Sequence, residues 1–307
     1  MLQFLRDRFN RAHFALACRG VLRTAPVRTD PQSRVLLLSQ LQHKDVLMGL
    51  IAFKSFASRV SVGQLRIVDD GSLTRRDLAL LRKHLPGVEF LDKEAVRTPA
   101  CPVGGCWERL LWIAQLSREH YIVQLDSDTV TLQDLDEVVE CIRQDRSFAL
   151  GTWSHQEIEP MSWRQSESTR VLKTEPLPHH VQLVAEVGFQ QLQEFSSLRY
   201  VRGCAGFSGF ARGSVDIGFI ESISRRMSQA IGNDWGQWGT EQVMSNIVVA
   251  NSARPVVLSY PEYCDCNRIR PGVTAFVHFI GEYRFVGTVY EDCARGAIAQ
   301  LHKPACA

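Results

Sequence analysis

The chain alternates short apolar runs with longer stretches in which apolar residues recur at helical spacing. Residues 35–39, 65–68 and 88–91 are apolar runs of the length that forms buried strands. Between the first two, residues 44–58 carry apolar side chains along one helical face. Strands that alternate with helices at this spacing predict an α/β fold, with a mostly parallel sheet flanked by helices in a single large domain.

One apolar run, Tyr121–Leu125, ends directly in the aspartates Asp126 and Asp128. In open α/β sheets, ligands bind at the carboxyl ends of strands. On an extended backbone, residues two apart point the same way, so these carboxylates would repel each other. A divalent cation such as magnesium or manganese removes that repulsion. The alternative is an ordinary strand-to-helix turn, in which Asp serves as turn former and helix cap.

Two side chains elsewhere in the first half of the chain, one after a predicted strand and one on a predicted helix, are further candidates for ligand contacts. Asp70 follows the strand predicted at residues 65–68, and its carboxylate suits a base or ribose hydroxyl. It also fits a plain turn before a helix, since Thr74 and Asp77 have the spacing of a capping box. Arg109 lies on a predicted helix and is either a phosphate contact or an ordinary surface arginine.

The second half of the chain supplies three more candidates. Glu241 opens a predicted helix, where the helix dipole favours a carboxylate and a catalytic base is the alternative. Trp235 and Trp238 lie beside it and fit either a platform for a sugar ring or core packing. A predicted strand entering a glycine turn carries His278, a candidate metal ligand, and Arg284, a candidate diphosphate contact.

Composition and charge narrow the function classes. The chain has 307 residues, of which 45% are hydrophobic and 22% charged, as in ordinary globular proteins. Because the net charge is only +2, no nucleic-acid partner is expected. The chain has 9 cysteines, an odd number, and charged residues interrupt its first 17 positions, so neither a disulfide framework nor a secretory signal is predicted. We therefore expect reduced thiols and a cytoplasmic protein.

Taken in order, these motifs resemble those of a GT-A fold glycosyltransferase. The resemblance is closest to the retaining family that contains glycogenin and the bacterial lipopolysaccharide galactosyl- and glucosyltransferases. Residues 125–129 resemble its Leu-Asp-x-Asp-Thr strand end, and residues 278–284 resemble its His-Phe-x-Gly turn followed by a basic residue. Glu241 and Gln242 resemble its acidic-Gln pair, and the glycine-rich residues 200–213 fall where it has a strand near the donor sugar.

The resemblance implies a metal-dependent hexosyltransferase that uses a nucleotide-diphosphate sugar, with a UDP-sugar as the expected donor, and a glycan or lipid-linked acceptor. It implies that Mn²⁺ or Mg²⁺ is held by Asp126, Asp128 and His278. The expected contacts with the nucleotide sugar are Asp70, Arg109, Ser127, Gly281 and Arg284.

The stereochemistry of the implied reaction stays open, because residues 68–72 are more typical of inverting GT-A families. Asp128 and Glu241 are the expected catalytic residues. In an inverting reaction Glu241 is the candidate base for the acceptor hydroxyl, whereas a retaining reaction by front-face attack needs no protein base.

The predicted domain organisation separates a basic arm from the main domain. The arm fits either a contact with an anionic membrane surface or a lipid-linked acceptor, or a packed helix with a solvated basic face. The predicted ranges are 1–30 for the basic N-terminal arm, 31–290 for the GT-A domain, 31–152 for its nucleotide-binding half, 153–290 for its acceptor half, 154–199 for a polar insertion in that half, and 291–307 for a C-terminal tail.

Two other function classes share part of this pattern. Phosphatases of the haloacid-dehalogenase type also end a strand in Asp-x-Asp-x-Thr, and there Asp126 would be the nucleophile and Asp128 the acid/base. That family usually places the motif on its first strand, whereas more than 100 residues precede it here. A non-catalytic sugar-nucleotide-binding scaffold would keep the fold without needing the metal-site residues.

Overall fold

The computed structural model describes residues 2–174, 176 and 179–302, without the side chains of residues 2–7, 193–195 and 282. Parts of three predicted segments lie outside this description. These are the start of the basic arm, including the side chain of Arg6, three residues of the polar insertion, and the end of the C-terminal tail.

The elements alternate along the chain as the hydrophobic pattern predicts. Within the described residues, the α-helices are α1 (Leu2–Cys18), α2 (Val46–Ala57), α3 (Arg75–His84), α4 (Trp107–Leu116), α5 (Asp136–Arg143), α6 (Met161–Leu172), α7 (Val181–Gly188), α8 (Ile217–Ile231), α9 (Thr240–Ala250) and α10 (Val289–Leu301). The strands are β1 (Val35–Leu41), β2 (Gln64–Asp69), β3 (Glu89–Asp92), β4 (Tyr121–Leu125), β5 (Thr129–Thr131), β6 (Phe148–Leu150), β7 (Glu159–Pro160), β8 (Arg199–Tyr200), β9 (Cys204–Phe210), β10 (Val256–Val257), β11 (Tyr263–Asp265) and β12 (Phe276–His278).

Seven strands form one sheet in the order β10-β6-β9-β4-β1-β2-β3. β1 and β2 run parallel, as do β10 and β6, while β6 and β9 run antiparallel. Every residue of β4 is buried, which agrees with the continuous apolar run of a strand covered on both faces. This mixed, mostly parallel sheet flanked by helices confirms the predicted α/β class.

The chain forms two compact units, and each is assembled from separate segments. The first consists of the chain up to Leu91, Val123–Val139 and the chain from Ser259, and the second consists of Asp92–Ile122 and Glu140–Leu258. The predicted halves, in contrast, are continuous in sequence.

In the first unit, a smaller sheet has the order β11-β12-β5. β12 pairs with β11 in parallel and with β5 antiparallel. Helix α2 packs beside β5, where Ser55 accepts a hydrogen bond of 3.2 Å from the amide of Thr131. The capping box before α3 is confirmed, because Thr74 and Asp77 exchange side-chain and backbone hydrogen bonds. The pairing with β12 and the contact with α2 fix the chain directly after the two aspartates.

In the second unit, the glycine-rich segment becomes strand β9. Gly209 lies against β6 so closely that a Cβ there would be 2.2 Å from the ring of Phe148. The glycine is therefore required for packing between neighbouring strands. The predicted polar insertion contains helices α6 and α7, which contact each other.

Within the described part of the chain, no helix has both the length and the apolar character needed to cross a bilayer.

Candidate functional site

The two aspartates lie in a turn that joins β4 to β5. The turn passes through Ser127, and β5 begins at Thr129. The hydroxyl of Thr129 donates a hydrogen bond of 2.8 Å to the carbonyl oxygen of Asp126, which closes the turn. The side chain of Asp126 is 28% exposed and that of Asp128 is 7% exposed. The aspartates thus occupy a turn, whereas their spacing predicts an extended backbone.

His278 reaches both aspartates because of the pairing between β12 and β5. In this antiparallel pair, His278 lies opposite Thr129. Its Nε2 atom is 3.3 Å from Oδ1 of Asp128 and 3.7 Å from Oδ2 of Asp126. The next residue, Phe279, donates its amide hydrogen to the carbonyl oxygen of Asp128 at 2.8 Å. Backbone pairing therefore holds the imidazole over the turn.

Arg284 adds a positive charge to the same cluster. It lies on a short 3₁₀ helix, Gly281–Phe285, that begins at a glycine with φ of +48°. Its Nε donates to the carbonyl oxygen of Phe279 at 3.2 Å, and its Nη2 forms an ion pair with Oδ2 of Asp128. The positive φ is easily adopted by glycine, so Gly281 contributes to the site through the backbone turn that brings Arg284 inward.

The charge of Asp128 is set by these neighbours. Burial alone raises the pKa of a carboxyl, but His278 and Arg284 oppose burial and together hold the pKa of Asp128 below its usual range. Asp128 is therefore an ionised carboxylate inside the protein, neutralised by its own chain.

The cluster fits a divalent cation. One ligand atom from each of Asp126, Asp128 and His278 lies within 4.8 Å of the others. Two carboxylate oxygens and one imidazole nitrogen suit a first-row divalent metal such as manganese, and magnesium takes the oxygen ligands. The three predicted metal ligands are thus brought together, and Arg284 lies with them.

Asp70 lies in the first unit at the end of β2, as the sequence predicts. Its amide donates to the carbonyl oxygen of Leu41 at 3.3 Å, which continues the pairing of β2 with β1. Its Oδ1 accepts hydrogen bonds from the amide and the hydroxyl of Ser72, at 2.9 and 2.6 Å. The carboxylate therefore supports a tight turn in which Gly71 has φ of +94°.

In the second unit, Arg109 and Glu241 form a buried ion pair. Arg109 Nη2 lies 3.4 Å from Glu241 Oε2, and each residue is 3% exposed. Glu241 Oε1 also accepts a hydrogen bond of 2.9 Å from Ser245, one helical turn later. Neither residue is a surface group, although an arginine on a helix is more often exposed.

The two tryptophans near Glu241 have different environments. Trp235 is 1% exposed, and its indole N–H donates to the hydroxyl of Ser224 at 2.9 Å. It also packs edge-on against Trp107, with ring centroids 5.4 Å apart. Trp238, in contrast, is 74% exposed. Of the two, Trp235 is a core residue, and only Trp238 offers a ring face to solvent.

A polar network inside the second unit surrounds Gln242. Its Oε1 accepts from the amide of Ala205 at 3.1 Å, and its Nε2 donates to Gln182 at 3.3 Å. Gln182 in turn donates to the hydroxyl of Tyr200 at 3.1 Å. Gln182 was not among the residues predicted from the sequence, although a glutamine on the mostly apolar helix α7 is a recognisable signal of a buried polar contact.

Glu186, one turn after Gln182 on α7, is fully buried. It accepts a hydrogen bond of 2.5 Å from Ser168 and lies 3.1 Å from Arg202 Nε. Burial raises the pKa of Glu186, and Arg202 and Ser168 only partly offset that rise. The folded state therefore binds this proton more tightly than the unfolded chain does.

This raised pKa predicts a pH-dependent stability. From about pH 4.3, the usual pKa of a glutamate, up to the raised value, the folded state holds more protons than the unfolded state, so stability falls as pH rises. We expect Glu186→Gln to reduce this fall. Urea unfolding at several pH values between 4 and 8 measures it, and parallel curves for the two proteins would contradict the prediction.

No protein-family model matches this sequence, and no curated protein matches it. Among solved structures, the chain is similar to the apo structure of the bifunctional glycosyltransferase WbbM, with 14% identity and a TM-score of 0.51. The match covers 89% of this chain and 51% of WbbM, so this chain spans about half the length of that protein.

Two other solved structures have lower TM-scores. An active-site mutant of LgtC has 12% identity and a TM-score of 0.48, with 85% of this chain and 95% of that chain covered. Mouse xyloside xylosyltransferase 1 has 13% identity and a TM-score of 0.46, with 80% and 97% covered. The similarity to WbbM confirms the predicted GT-A fold.

Proposed function

We propose that this protein is a metal-dependent glycosyltransferase that moves a hexosyl group from a nucleotide-diphosphate sugar to a hydroxyl acceptor. One observation carries the proposal, namely the convergence of Asp126, Asp128 and His278 after a buried strand, with Arg284 paired to Asp128. A ligand position at the carboxyl end of a strand is typical of open α/β sheets. The donor is proposed to be a UDP-sugar, on the resemblance of the motifs.

The site would offer a diphosphate two sources of positive charge, namely a bound metal ion and the side chain of Arg284. Asp126, Asp128 and His278 would hold Mn²⁺ or Mg²⁺, which stabilises the negative charge of a departing nucleoside diphosphate. Arg284 has a planar guanidinium that matches phosphate oxygens in two places, and it is only 18% exposed. A partly buried arginine interacts with a phosphate more strongly than one in bulk water.

The remaining donor contacts are proposed to come from Ser127, Gly281 and Asp70. Ser127 and Gly281 lie in the two turns that carry Asp128 and Arg284, and we propose that they approach the nucleotide sugar through those turns. Asp70 is proposed to hold a hydroxyl of the nucleoside.

Arg109 and Glu241 are proposed to act near the transferred sugar. A buried carboxylate such as Glu241 is a suitable base for an acceptor hydroxyl if the reaction inverts. Arg109, whose Nη2 lies 3.4 Å from Oε2 of Glu241, would then hold that carboxylate in position. In a retaining reaction, both residues would position the sugar.

We further propose a glycan or lipid-linked saccharide as the acceptor and the cytoplasm as the location. The cysteines Cys18, Cys101 and Cys264 are buried free thiols, which supports a reducing compartment.

Calorimetric titration of UDP into the purified protein, with MnCl₂ and with EDTA, tests the proposal. We expect heat of binding with Mn²⁺ and none with EDTA. Uridine, which lacks the diphosphate, is the matched control and is expected to bind weakly or not at all. Titration of GDP in the same buffers identifies the nucleotide. If neither diphosphate binds in either buffer, the glycosyltransferase proposal is wrong, and phosphatase assays become the next step.

A further inference from the structure

Helix α1 has two faces of different character. Towards the protein it presents Phe14 and Cys18, both buried. On the opposite side, Phe9 is 70% exposed and Leu16 is 62% exposed. Phe9 and Leu16 are seven residues apart, which is two turns of a helix, so they lie on one stripe. An exposed apolar stripe on an otherwise packed helix indicates a surface that meets something other than water.

The charge around this stripe is positive. The sequence from Arg8 to Thr29 contains no aspartate or glutamate. The exposed arginines in this segment are Arg8, Arg19, Arg23 and Arg28.

Two side chains of α1 contact acidic residues of neighbouring elements. Arg11 forms an ion pair of 2.5 Å with Asp45 beside α2. His13, at the edge of the stripe, lies 3.3 Å from Glu291 of α10, which is also 3.4 Å from Arg295. The arginines that face solvent are therefore Arg8, Arg19, Arg23 and Arg28, whereas Arg11 faces the protein.

We infer that the outer face of α1 docks on a lipid surface that contains anionic phospholipids. Phe9 and Leu16 would enter the boundary between headgroups and acyl chains, and Arg8 and Arg19 would contact the phosphates. An apolar stripe flanked by arginines is the pattern of a helix that lies in the membrane interface. A second copy of the chain is disfavoured, because two such faces would bring arginines of like charge together.

The inner face of α1 connects this surface to the aspartate cluster. Phe14 stacks on Tyr290 of α10, with centroids 4.3 Å apart, and packs edge-on against Phe285 at 5.8 Å. Tyr290 in turn stacks on Phe279, at 4.2 Å. Phe279 is hydrogen-bonded to Asp128, and Phe285 follows Arg284 in sequence. If the proposed transfer reaction holds, a lipid-bound helix packed in this way would hold the site close to a lipid-linked acceptor.

Co-sedimentation with lipid vesicles tests the inference on the full chain. The vesicles are phosphatidylcholine alone or phosphatidylcholine with about one-third phosphatidylglycerol, in EDTA and without nucleotide, so the result does not depend on the transfer reaction. We expect binding to the anionic vesicles, much weaker binding to the neutral ones, and a decrease with added salt. Equal binding to both kinds, or binding to neither, would overturn the inference.

Paired variants locate the surface. Arg8→Gln with Arg19→Gln is expected to weaken binding by about 30-fold, since each basic residue near an anionic surface contributes about a factor of five. Phe9→Ser with Leu16→Ser is expected to weaken it by at least about 10-fold.

The matched controls change exposed residues of the same types elsewhere in the first unit. They are Val139→Ser with Val273→Ser, and Arg75→Gln with Arg76→Gln, and both are expected to bind like wild type. Loss of binding in the controls to the same extent would overturn the assignment to α1. Analytical ultracentrifugation of the Phe9/Leu16 variant completes the test, because conversion of a wild-type dimer to a monomer would identify the face as a contact between copies.

Discussion

Asp128→Asn is expected to weaken Mn²⁺ binding by more than about 100-fold, since replacing outer-shell partners of a metal alone costs about 10- to 100-fold. The substitution removes a ligand oxygen with its negative charge and leaves Arg284 without the carboxylate that neutralises it. The net charge of the site then becomes one unit more positive, which weakens the attraction of the site for a cation. Calorimetric titration of MnCl₂ into both proteins measures the effect, and titration of UDP with Mn²⁺ tests whether donor binding is lost in parallel.

The control for this variant is Asp134→Asn, in the same unit. Asp134 is 73% exposed and pairs with Arg59 at the surface, so its replacement is expected to leave Mn²⁺ binding unchanged. Thermal unfolding in EDTA shows whether the variant is folded, because no bound metal contributes to the stability of either protein in that buffer. Loss of metal binding can then be distinguished from loss of fold. Wild-type affinity for Mn²⁺ in a folded Asp128→Asn protein would remove Asp128 from the metal site.

Local patterns allowed much of the fold to be predicted from the sequence. β4 is an uninterrupted apolar run, and the start of α3 is marked by the capping residues Thr74 and Asp77. Both signals depend on neighbouring residues alone, so they can be read along the chain. The grouping of Asp126 with His278 depends on the pairing of β12 with β5, which joins distant parts of the chain. Only resemblance to a known motif indicated that grouping in advance.

Other features could not be predicted because they depend on packing. Thr240 has the residue type of a helix N-cap, yet the cap position of α9 is Gly239. The hydroxyl of Thr240 instead accepts the indole N–H of Trp107 at 3.0 Å and donates to the carbonyl oxygen of Trp235. A tertiary contact thus replaces the local hydrogen bond that cap chemistry favours. The same packing buries Trp235 and leaves Trp238 exposed, although the two are equally apolar in sequence.

Arg109→Met is expected to lower the free energy of unfolding by about 3–5 kcal/mol, because it removes a cation that is paired with the buried carboxylate of Glu241. Methionine keeps most of the length and apolar volume of the arginine stem, so the loss of charge is the main change. Glu241→Met is expected to have a similar effect for the reciprocal reason. Urea unfolding at pH 7 measures both changes.

The double variant Arg109→Met with Glu241→Met tests whether the two residues stabilise the fold as a pair or independently. Because the double variant removes both members of the ion pair together, it is expected to be more stable than the sum of the two single losses predicts. Losses that add to within about 0.5 kcal/mol would show that the two residues act independently. A strong coupling would show that Arg109 and Glu241 stabilise the folded protein as a pair, so that any role of Glu241 in the proposed reaction would depend on Arg109 holding the carboxylate in place.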